Sequence, residues 1–335
     1  MVQQYNDIIN AWYAGKNWKL YPFQQDLAQA YFEGYQGILN APTGSGKTYA
    51  MWIPVLAGFM SGLHKNMHAP GLKVLWVTPL RALAKDICNA LQEACDILDT
   101  GWKVELRTGD VSQKVKQAQK LKMPDCLIIT PESLHVLLCG NNYSNLFSGL
   151  QCVVVDEWHE LLGSKRGVQV ELALSRLKAI RKAENESLRI WGISATIGNL
   201  VESMEVLLGQ DSNSDKSIII RSTAKKEMEI HTVLPPTIDV LPWSGHIGLK
   251  LLPEIVKIIH AAQTTLVFTN TRAMAEIWYH RILNYDENLA GLLAMHHGSL
   301  SGEVRDWVEE NLHAGTLKAV ICTSSLDLGV DFRPV

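Results

Sequence analysis

The octet Ala41–Thr48, with the sequence APTGSGKT, constrains the fold of this chain more than any other stretch. A short apolar segment, Gly37–Asn40, precedes the octet, and a segment with a helical pattern, Tyr49–Met60, follows it. Glycines in such a loop permit a tight turn that directs successive backbone N–H groups at phosphate oxygens. The strand–loop–helix context therefore predicts a phosphate-binding loop.

The side chains at the end of the octet predict which phosphates are bound. Lys47 can reach the β- and γ-phosphates of a nucleoside triphosphate, and the hydroxyl of Thr48 can coordinate Mg²⁺. The helix that follows presents the positive end of its dipole to the same anion. The residues whose backbone would surround the phosphates are Thr43, Gly44, Ser45 and Gly46.

A second motif supplies the acidic groups that such a site needs. Four apolar residues, Cys152–Val155, predict a buried strand, and Asp156 and Glu157 follow at its end. Asp156 can hold Mg²⁺ through water, and Glu157 can orient or deprotonate the water that attacks the γ-phosphate. His159 lies just past this pair, where it could sense the γ-phosphate or simply be a half-buried histidine at a helix start.

Gln24 lies upstream of the loop, after Pro22 and Phe23 and at the start of a predicted helix. A glutamine here can hydrogen-bond the two edges of an adenine, while Phe23 or Tyr21 lies against the ring. The alternative is a hydrophobic staple that fixes the helix start. The spacing of these residues leaves both interpretations open.

Strands and helices alternate along the chain, which predicts a doubly wound α/β sheet. In such sheets ligands collect at the carboxyl ends of the strands. Arg81 and Thr130 each follow a predicted buried strand and are candidate contacts to nucleic-acid phosphates. The alternative is that they only end a strand and cap a helix. The segment Ser194–Thr196 ends a further strand, where its hydroxyl groups could hydrogen-bond the acidic motif.

The alternation stops in an irregular, proline-containing region and then restarts. We place a domain boundary near residue 240, which gives domains 1–240 and 241–335. The second domain contains no further phosphate-binding loop. We therefore expect it to close on the first domain rather than to bind its own nucleotide.

Composition argues against several classes of protein. The net charge of −3 disfavours a broad basic surface, although not nucleic acid in a narrow, locally basic channel. The six cysteines form no CxxC pair, which favours reduced thiols and a cytoplasmic location. We expect neither a secretory signal nor a membrane span, because the sequence contains no N-terminal apolar h-region and no sufficiently long apolar run.

Together these motifs resemble those of the superfamily-two helicases. The matching segments are Ala41–Thr48, Thr78–Leu83, Thr130–Ser133, Asp156–His159, Ser194–Thr196, Leu266–Arg272 and Thr323–Asp331. Three segments, Arg107–Asp110, Asp156–Gly167 and Ser194–Asn199, look most like the Lhr-type and ligase-associated DEXH-box DNA helicases. The resemblance extends roughly from Trp18 to Asp331.

The resemblance implies an ATP-dependent motor built from two RecA-like domains in tandem. Such a motor uses ATP and Mg²⁺ and moves 3′→5′ on single-stranded or partly duplex DNA. The resemblance also implies a role in DNA repair. The resemblance implies that Gln24 contacts the adenine and that Gly329 and Asp331, in the second domain, face the nucleotide. The residues that it places along the phosphates of the strand are Arg81, Thr130, Thr269, Arg272 and Thr323.

One departure from the family pattern concerns the end of the chain. The last core motif of the family, a helix with arginines that stabilise charge on the γ-phosphate, should follow Asp331, but the sequence stops at Val335. We therefore expect a truncated form of a longer protein, with an incomplete second domain and further domains downstream. Because such arginines supply roughly 10³–10⁵ in rate, we expect ATP binding with poor turnover and little or no unwinding.

Two alternatives stay open at this point. The same motor could act on RNA, because contacts to phosphates do not distinguish the two nucleic acids and the 2′-OH decides. The chain could also be a nucleotide-gated nucleic-acid-binding module without motor activity. Turnover of ATP by the full-length protein would exclude that second alternative.

Overall fold

The structure is a computed structural model of the 335-residue chain. The residues that it describes are 2–64, 70–79, 81–141, 143–183, 188–195, 197–209, 211, 215–223, 229–234, 248–323 and 326. The chain divides into two compact units, residues 1–226 and 227–335. The position near residue 240, where the sequence places a domain boundary, lies outside the described residues.

A parallel sheet runs through the first unit. Its strands are β1 (Gln36–Asn40), β2 (Val74–Val77), β3 (Val104–Arg107), β4 (Cys126–Ile129), β5 (Cys152–Val155), β6 (Arg189–Ser194) and β7 (Ser217–Arg221). They pair in the order β3-β4-β2-β5-β6-β1-β7. All of these pairs are parallel, so the strands share one amino edge and one carboxyl edge. The predicted doubly wound sheet is confirmed.

Helices cover both faces of this sheet. They are α1 (Val2–Gly15), α2 (Pro22–Phe32), α3 (Lys47–Met60), α4 (Arg81–Ile97), α5 (Gln113–Leu121), α6 (Pro131–Leu138), α7 (Tyr143–Phe147), α8 (Trp158–Leu161), α9 (Lys165–Ala183) and α10 (Leu200–Leu208). In the described part of the chain, no helix combines the length and the apolar character that a bilayer crossing requires.

Alternation along the strands builds two apolar cores, one on each face. In β2, for example, Trp76 belongs to the core that packs under α1 to α4. Its neighbours Leu75 and Val77 belong to the other core, under α6 to α10. Because both faces are buried, the strands are continuous apolar runs, which made them easy to predict from sequence.

Helix α1 was not predicted, although the sequence contains its signature. Tyr5, Ile9, Trp12 and Tyr13 are buried in the first core, where α1 packs against α3. Their spacing is that of one face of a helix.

The second unit contains its own small parallel sheet. Its strands are β8 (Thr265–Phe268), β9 (Leu293–His296) and β10 (Ala319–Cys322), in the order β8-β10-β9. Its helices are α11 (Leu252–Ala261), α12 (Arg272–Tyr285) and α13 (Gly302–His313), with 3₁₀ turns at Leu249–Leu251 and Glu287–Leu289. The predicted restart of strand–helix alternation is therefore confirmed.

All six cysteines are free thiols. Cys126, Cys152 and Cys322 lie in β4, β5 and β10 and are fully buried. Burial raises the pKa of the Cys152 thiol to about 12. Such a thiol stays protonated and unreactive at neutral pH.

Candidate active site

Two glycines in the left-handed region shape the phosphate-binding loop. Gly44 has φ 75° and Gly46 has φ 77°, a conformation that costs residues with a Cβ about 1–2 kcal/mol. Ser45 closes the loop, because its N–H and its hydroxyl both donate to the carbonyl of Pro42, at 3.3 and 2.6 Å. Gly46 is the N-cap of α3, so the positive end of the helix dipole begins at Lys47.

Lys47 places a buried cation at this helix start. The residue is 8% exposed, and its Nζ forms no hydrogen bond with any described residue. Burying an ammonium group without a partner is costly, whereas phosphate oxygens would satisfy it. Thr48 follows in the first turn of α3 and is half-buried, and Thr43 is exposed on the loop.

Asp156 lies at the carboxyl end of β5, and each of its carboxylate oxygens accepts one hydrogen bond. Oδ1 accepts from the N–H of Glu157 at 2.9 Å, and Oδ2 accepts from Nε1 of Trp76 at 3.2 Å. Burial, and then the adjacent Glu157, raise the pKa of Asp156 to about 7, whereas Trp76 and the Lys47 ammonium lower it. Lys47 and Asp156 are thus within electrostatic reach of each other, as a shared Mg²⁺-bound triphosphate requires.

Glu157 has an uncommon backbone conformation, φ 45° and ψ 47°, at the N-cap of α8. Strained backbone of this kind concentrates at functional sites. The residue is buried, and its Oε2 forms no hydrogen bond within the described part of the chain. This oxygen, which lies 3.3 Å from Nδ1 of His159, is a suitable acceptor for the proton of an attacking water.

His159 connects the acidic motif to β6. Its Nδ1 lies 3.1 Å from Oγ of Ser194 and 3.3 Å from Oε2 of Glu157. The prediction that a hydroxyl at the end of β6 bonds the acidic motif is therefore confirmed for Ser194. His159 is half-buried on the short helix α8, so its position suits both interpretations drawn from the sequence. Thr196 lies outside the described residues.

Gln24 is buried between the start of α2 and the phosphate-binding loop. Its Oε1 accepts from the N–H of Tyr21 at 2.9 Å, and its Nε2 donates to the carbonyl of Ser45 at 3.4 Å. The first bond fixes the helix start, and the second joins that helix to the loop. An amide has four hydrogen-bonding positions, so one N–H and further acceptor capacity remain for a base.

The two candidate nucleic-acid contacts of the first unit follow adjacent strands. Arg81 is the first residue of α4, after β2, and Thr130 follows β4 as the N-cap residue of α6. Because β2 and β4 pair in parallel, both residues lie at the carboxyl edge of the sheet. The Thr130 hydroxyl lies 3.1 Å from that of Ser133, in the first turn of α6.

The candidates of the second unit meet at the carboxyl edge of its own sheet. Thr269 and Thr323 follow the paired strands β8 and β10, and the Thr269 hydroxyl donates to the carbonyl of Cys322 at 3.1 Å. Arg272, the first residue of α12, donates from its guanidinium to the hydroxyl of Ser299. This edge therefore presents the exposed residues Arg272 and Ser299 together with the half-buried Thr269 and Thr323.

Gly329 and Asp331, predicted to face the nucleotide from the second domain, lie outside the described residues. Two contacts of predicted site residues were missed from sequence, those made by Trp76 and Ser299. Trp76 is hidden within an apolar strand, where nothing distinguishes it from a core residue. Ser299 closely follows β9, so the rule applied to the other strand ends would have found it.

The donor set of the first unit suits ATP and Mg²⁺. Mg²⁺ in nucleotide sites is usually held by one or two carboxylates together with substrate phosphates. Asp156 and Thr48 offer hard oxygen ligands of this kind, and Lys47 supplies a buried positive charge within electrostatic reach of Asp156. The residues present therefore fit the group that the phosphate-binding loop implies.

Comparison with known families gives two matches, one in each unit. Residues 21–204 match the DEAD/DEAH box helicase family. Residues 248–335 match the helicase conserved C-terminal domain. The first match covers more than half of the chain and includes the phosphate-binding loop and the acidic motif.

Individual relatives are similar over almost the whole chain. The ATP-dependent helicase Lhr-Core of Methanocaldococcus jannaschii is 35% identical, over 98% of this chain and 39% of its own length. The Lhr helicase/uracil glycosylase of Escherichia coli is 27% identical, over 96% of this chain and 24% of its own length. The solved structure of Mycobacterium smegmatis helicase Lhr bound to ssDNA and AMP-PNP gives a TM-score of 0.78 at 30% identity, covering 97% of this chain and 42% of that one. The chain thus spans about two fifths of the length of the Lhr-Core relatives that it matches.

Proposed function

Because the chain belongs to the DEAD/DEAH box helicase family and is similar to Lhr-type helicases over almost its whole length, we propose that it is an ATP-dependent DNA helicase or translocase. The observation that carries this proposal is the buried group of Lys47, Asp156 and Glu157 at one edge of the sheet. It combines the cation, the metal ligand and the base that triphosphate hydrolysis needs.

Binding of ATP falls to the loop and the residues beside it. The loop amides and Lys47 hold the β- and γ-phosphates, and the free N–H and lone pair of Gln24 contact the adenine. Thr48 and Asp156 would hold Mg²⁺, which neutralises charge on the transferring phosphoryl group when bound. The buried, unpaired Nζ of Lys47 supports this assignment.

Hydrolysis falls to Glu157, which orients the attacking water and accepts its proton at Oε2. His159 lies beside that oxygen and bonds Ser194 at the end of β6. A change in the position of the γ-phosphate would therefore move His159 and, through its bond to Ser194, the end of β6. This contact gives hydrolysis a route to neighbouring surfaces, as a motor requires.

Nucleic acid lies along strand-end residues of both units in this proposal. The residues are Arg81, Thr130, Thr269, Arg272 and Thr323. Hydroxyls, guanidinium groups and helix N-termini are common phosphate contacts. The Mycobacterium smegmatis Lhr structure holds ssDNA, which supports DNA as the partner. Movement in the 3′→5′ direction and a role in DNA repair complete the proposal.

The test of the nucleotide site is Lys47→Ala. We expect this variant of the purified chain to lose binding of mant-ATP in the presence of Mg²⁺, together with any ATP hydrolysis. Lys257→Ala is the control, because Lys257 is exposed in the second unit and forms an ion pair with Glu254, one helical turn before it. Binding or hydrolysis at the unmodified level in Lys47→Ala would overturn the proposal.

The test of the nucleic acid is stimulation of ATP hydrolysis by single-stranded DNA and RNA of equal length and sequence. We expect DNA to stimulate more than RNA. Stimulation by RNA alone would identify an RNA motor, because the 2′-OH is the group that differs.

A further inference from the structure

A side-chain hydrogen bond to Asp156 comes from Trp76, inside the apolar strand β2. The indole Nε1 lies 3.2 Å from Oδ2, while Oδ1 accepts from the backbone N–H of Glu157 at 2.9 Å. An indole N–H can only donate. The bond from the buried indole therefore fixes Oδ2 of the Asp156 carboxylate.

The Trp76 ring is itself fixed by packing. It is fully buried and meets the ring of Trp52 edge to face, with centroids 6.4 Å apart and planes at 83°. Trp52 lies on α3, the helix that begins at Lys47, and its own Nε1 donates to the carbonyl of Leu91 at 3.1 Å. Two buried indoles thus connect the phosphate-binding helix to the carboxylate.

We infer that Trp76 is a positioning residue, which fixes the plane of the Asp156 carboxylate relative to α3 so that its free lone pairs face Mg²⁺-bound ATP. This inference rests on the proposed function. The torsion that turns a carboxylate has broad preferences, so the hydrogen bonds to its two oxygens decide its plane. Outer-shell donors of this kind typically change metal affinity or activity about 10- to 100-fold.

The fold provides a matched control in Trp191. Strand β5 lies between β2 and β6, and the register places Trp76 and Trp191 on either side of Val154. Both tryptophans are fully buried in the same core. Nε1 of Trp191, however, forms no hydrogen bond with the residues that the structure describes. The same substitution at both positions separates loss of indole packing from loss of the bond to Asp156.

The experiment compares Trp76→Phe and Trp191→Phe with the unmodified chain. The dissociation constant of mant-ATP is measured in the presence of Mg²⁺ and in the presence of EDTA. The constant in EDTA divided by the constant in Mg²⁺ gives the gain in affinity from Mg²⁺. Lost packing lowers thermal stability but leaves this ratio unchanged. We expect Trp76→Phe to lower the gain about tenfold and Trp191→Phe to preserve it. An unchanged gain in Trp76→Phe, or an equal loss in both variants, overturns the inference.

A second variant keeps the test valid if Trp76→Phe does not fold. β-(3-Benzothienyl)alanine incorporated at position 76 keeps the bicyclic shape and replaces the N–H by sulfur. The same loss of the Mg²⁺ gain is expected, and an unchanged gain overturns the inference. Lys47→Ala distinguishes the two proposals. If Lys47→Ala abolishes mant-ATP binding but the variants at position 76 keep the Mg²⁺ gain, only the positioning role of Trp76 fails. If binding does not depend on Lys47, the proposed function fails.

Discussion

Each edge of the seven-stranded sheet has a buried lysine, but only the lysine at the amino edge has a hydrogen-bonded partner among the described residues. At the amino edge, Lys73 is almost fully buried just before β2 and forms an ion pair with Asp125. At the carboxyl edge, Lys47 is also buried, but its Nζ forms no hydrogen bond with the described residues. The neighbouring Glu157 likewise forms no hydrogen bond at Oε2 with the described residues, although Nδ1 of His159 lies 3.3 Å from that oxygen.

Burial of an ammonium group is costly at either edge. At the amino edge the fold supplies a hydrogen-bonded counter-charge. At the carboxyl edge the Asp156 carboxylate lies within electrostatic reach of Lys47, but the hydrogen bonds to Nζ fall to a ligand. Burial of a lysine alone therefore does not mark a functional site, whereas a buried ammonium group without a hydrogen-bond partner indicates a site for an anionic ligand. We expect substitutions at the amino edge to lower stability and substitutions at the carboxyl edge to lower activity.

The largest effect expected is that of Glu157→Gln on hydrolysis. The amide cannot accept the proton of the attacking water, so the rate should fall by about 10²–10⁴-fold. The free energy of unfolding should stay the same or rise, because the adjacent charge that helps to raise the pKa of Asp156 is removed. Single-turnover ATP hydrolysis and urea unfolding measure the two quantities.

Glu205→Gln is the matched control for this variant. Glu205 is exposed on α10, so the same change from carboxylate to amide is made at the surface. We expect it to hydrolyse ATP at the unmodified rate. If Glu157→Gln lost as much unfolding free energy as its fall in rate represents in activation free energy, the contrast between the two edges would be contradicted. The carboxyl edge would then contribute to stability as the amino edge does.

The converse prediction concerns Asp125→Ala at the amino edge. Removal of this carboxylate leaves Lys73 buried without its partner and also removes the acceptor for the N–H of Lys103. We expect the free energy of unfolding to fall by about 3 kcal/mol, with no change in the affinity for mant-ATP. Asp26→Ala on exposed α2 surface should change stability by less than about 0.5 kcal/mol. Weaker nucleotide binding by the folded Asp125→Ala variant would contradict the division between the edges.

The features predicted from sequence were those set by local rules. Apolar runs define the strands, glycines define the loop, and residues directly after parallel strands share an edge, which is why Lys47 and Asp156 could be placed together. The bond from Trp76 to Asp156 depends on the register of β2 against β5, which tertiary packing decides. The absence of an internal partner for Lys47 is likewise a property of the whole fold and has no local sequence signature.

A pH-dependent contribution is expected from the amino edge. Burial, and then the charge of Arg189, lower the pKa of His64 to about 3, while its hydroxyl partner Tyr31 lies 2.7 Å away. Because the unfolded pKa is about 6.5, this contribution to stability is fully present above pH 6.5 and is lost as the pH falls towards 3. Between pH 7.5 and 5 the loss is about 2 kcal/mol.

His64→Gln isolates this contribution, because glutamine keeps an acceptor for the Tyr31 hydroxyl but does not titrate. The unmodified chain should lose about 2 kcal/mol more of its unfolding free energy than the variant between pH 7.5 and 5. Urea unfolding at the two pH values measures the difference. Parallel losses in both proteins would show that His64 is not the titrating group.

The smallest effect expected compares the two ends of α3, which runs from the carboxyl edge to the amino edge. Gly46 precedes the helix with φ 77°, and Gly62 follows it with φ 76°. An added Cβ at Gly46 would lie 3.1 Å from Nε2 of Gln24, whereas at Gly62 it would meet no atom within 4 Å. Both Gly→Ala variants should lose about 1 kcal/mol of stability, because their backbone strain is the same. Only Gly46→Ala should also weaken mant-ATP binding, roughly tenfold or ~1.4 kcal/mol, because it disturbs the loop amides and Gln24 together. Equal nucleotide affinity in the two variants would mean that the asymmetry between the edges resides in the charged side chains alone and not in the backbone of the loop.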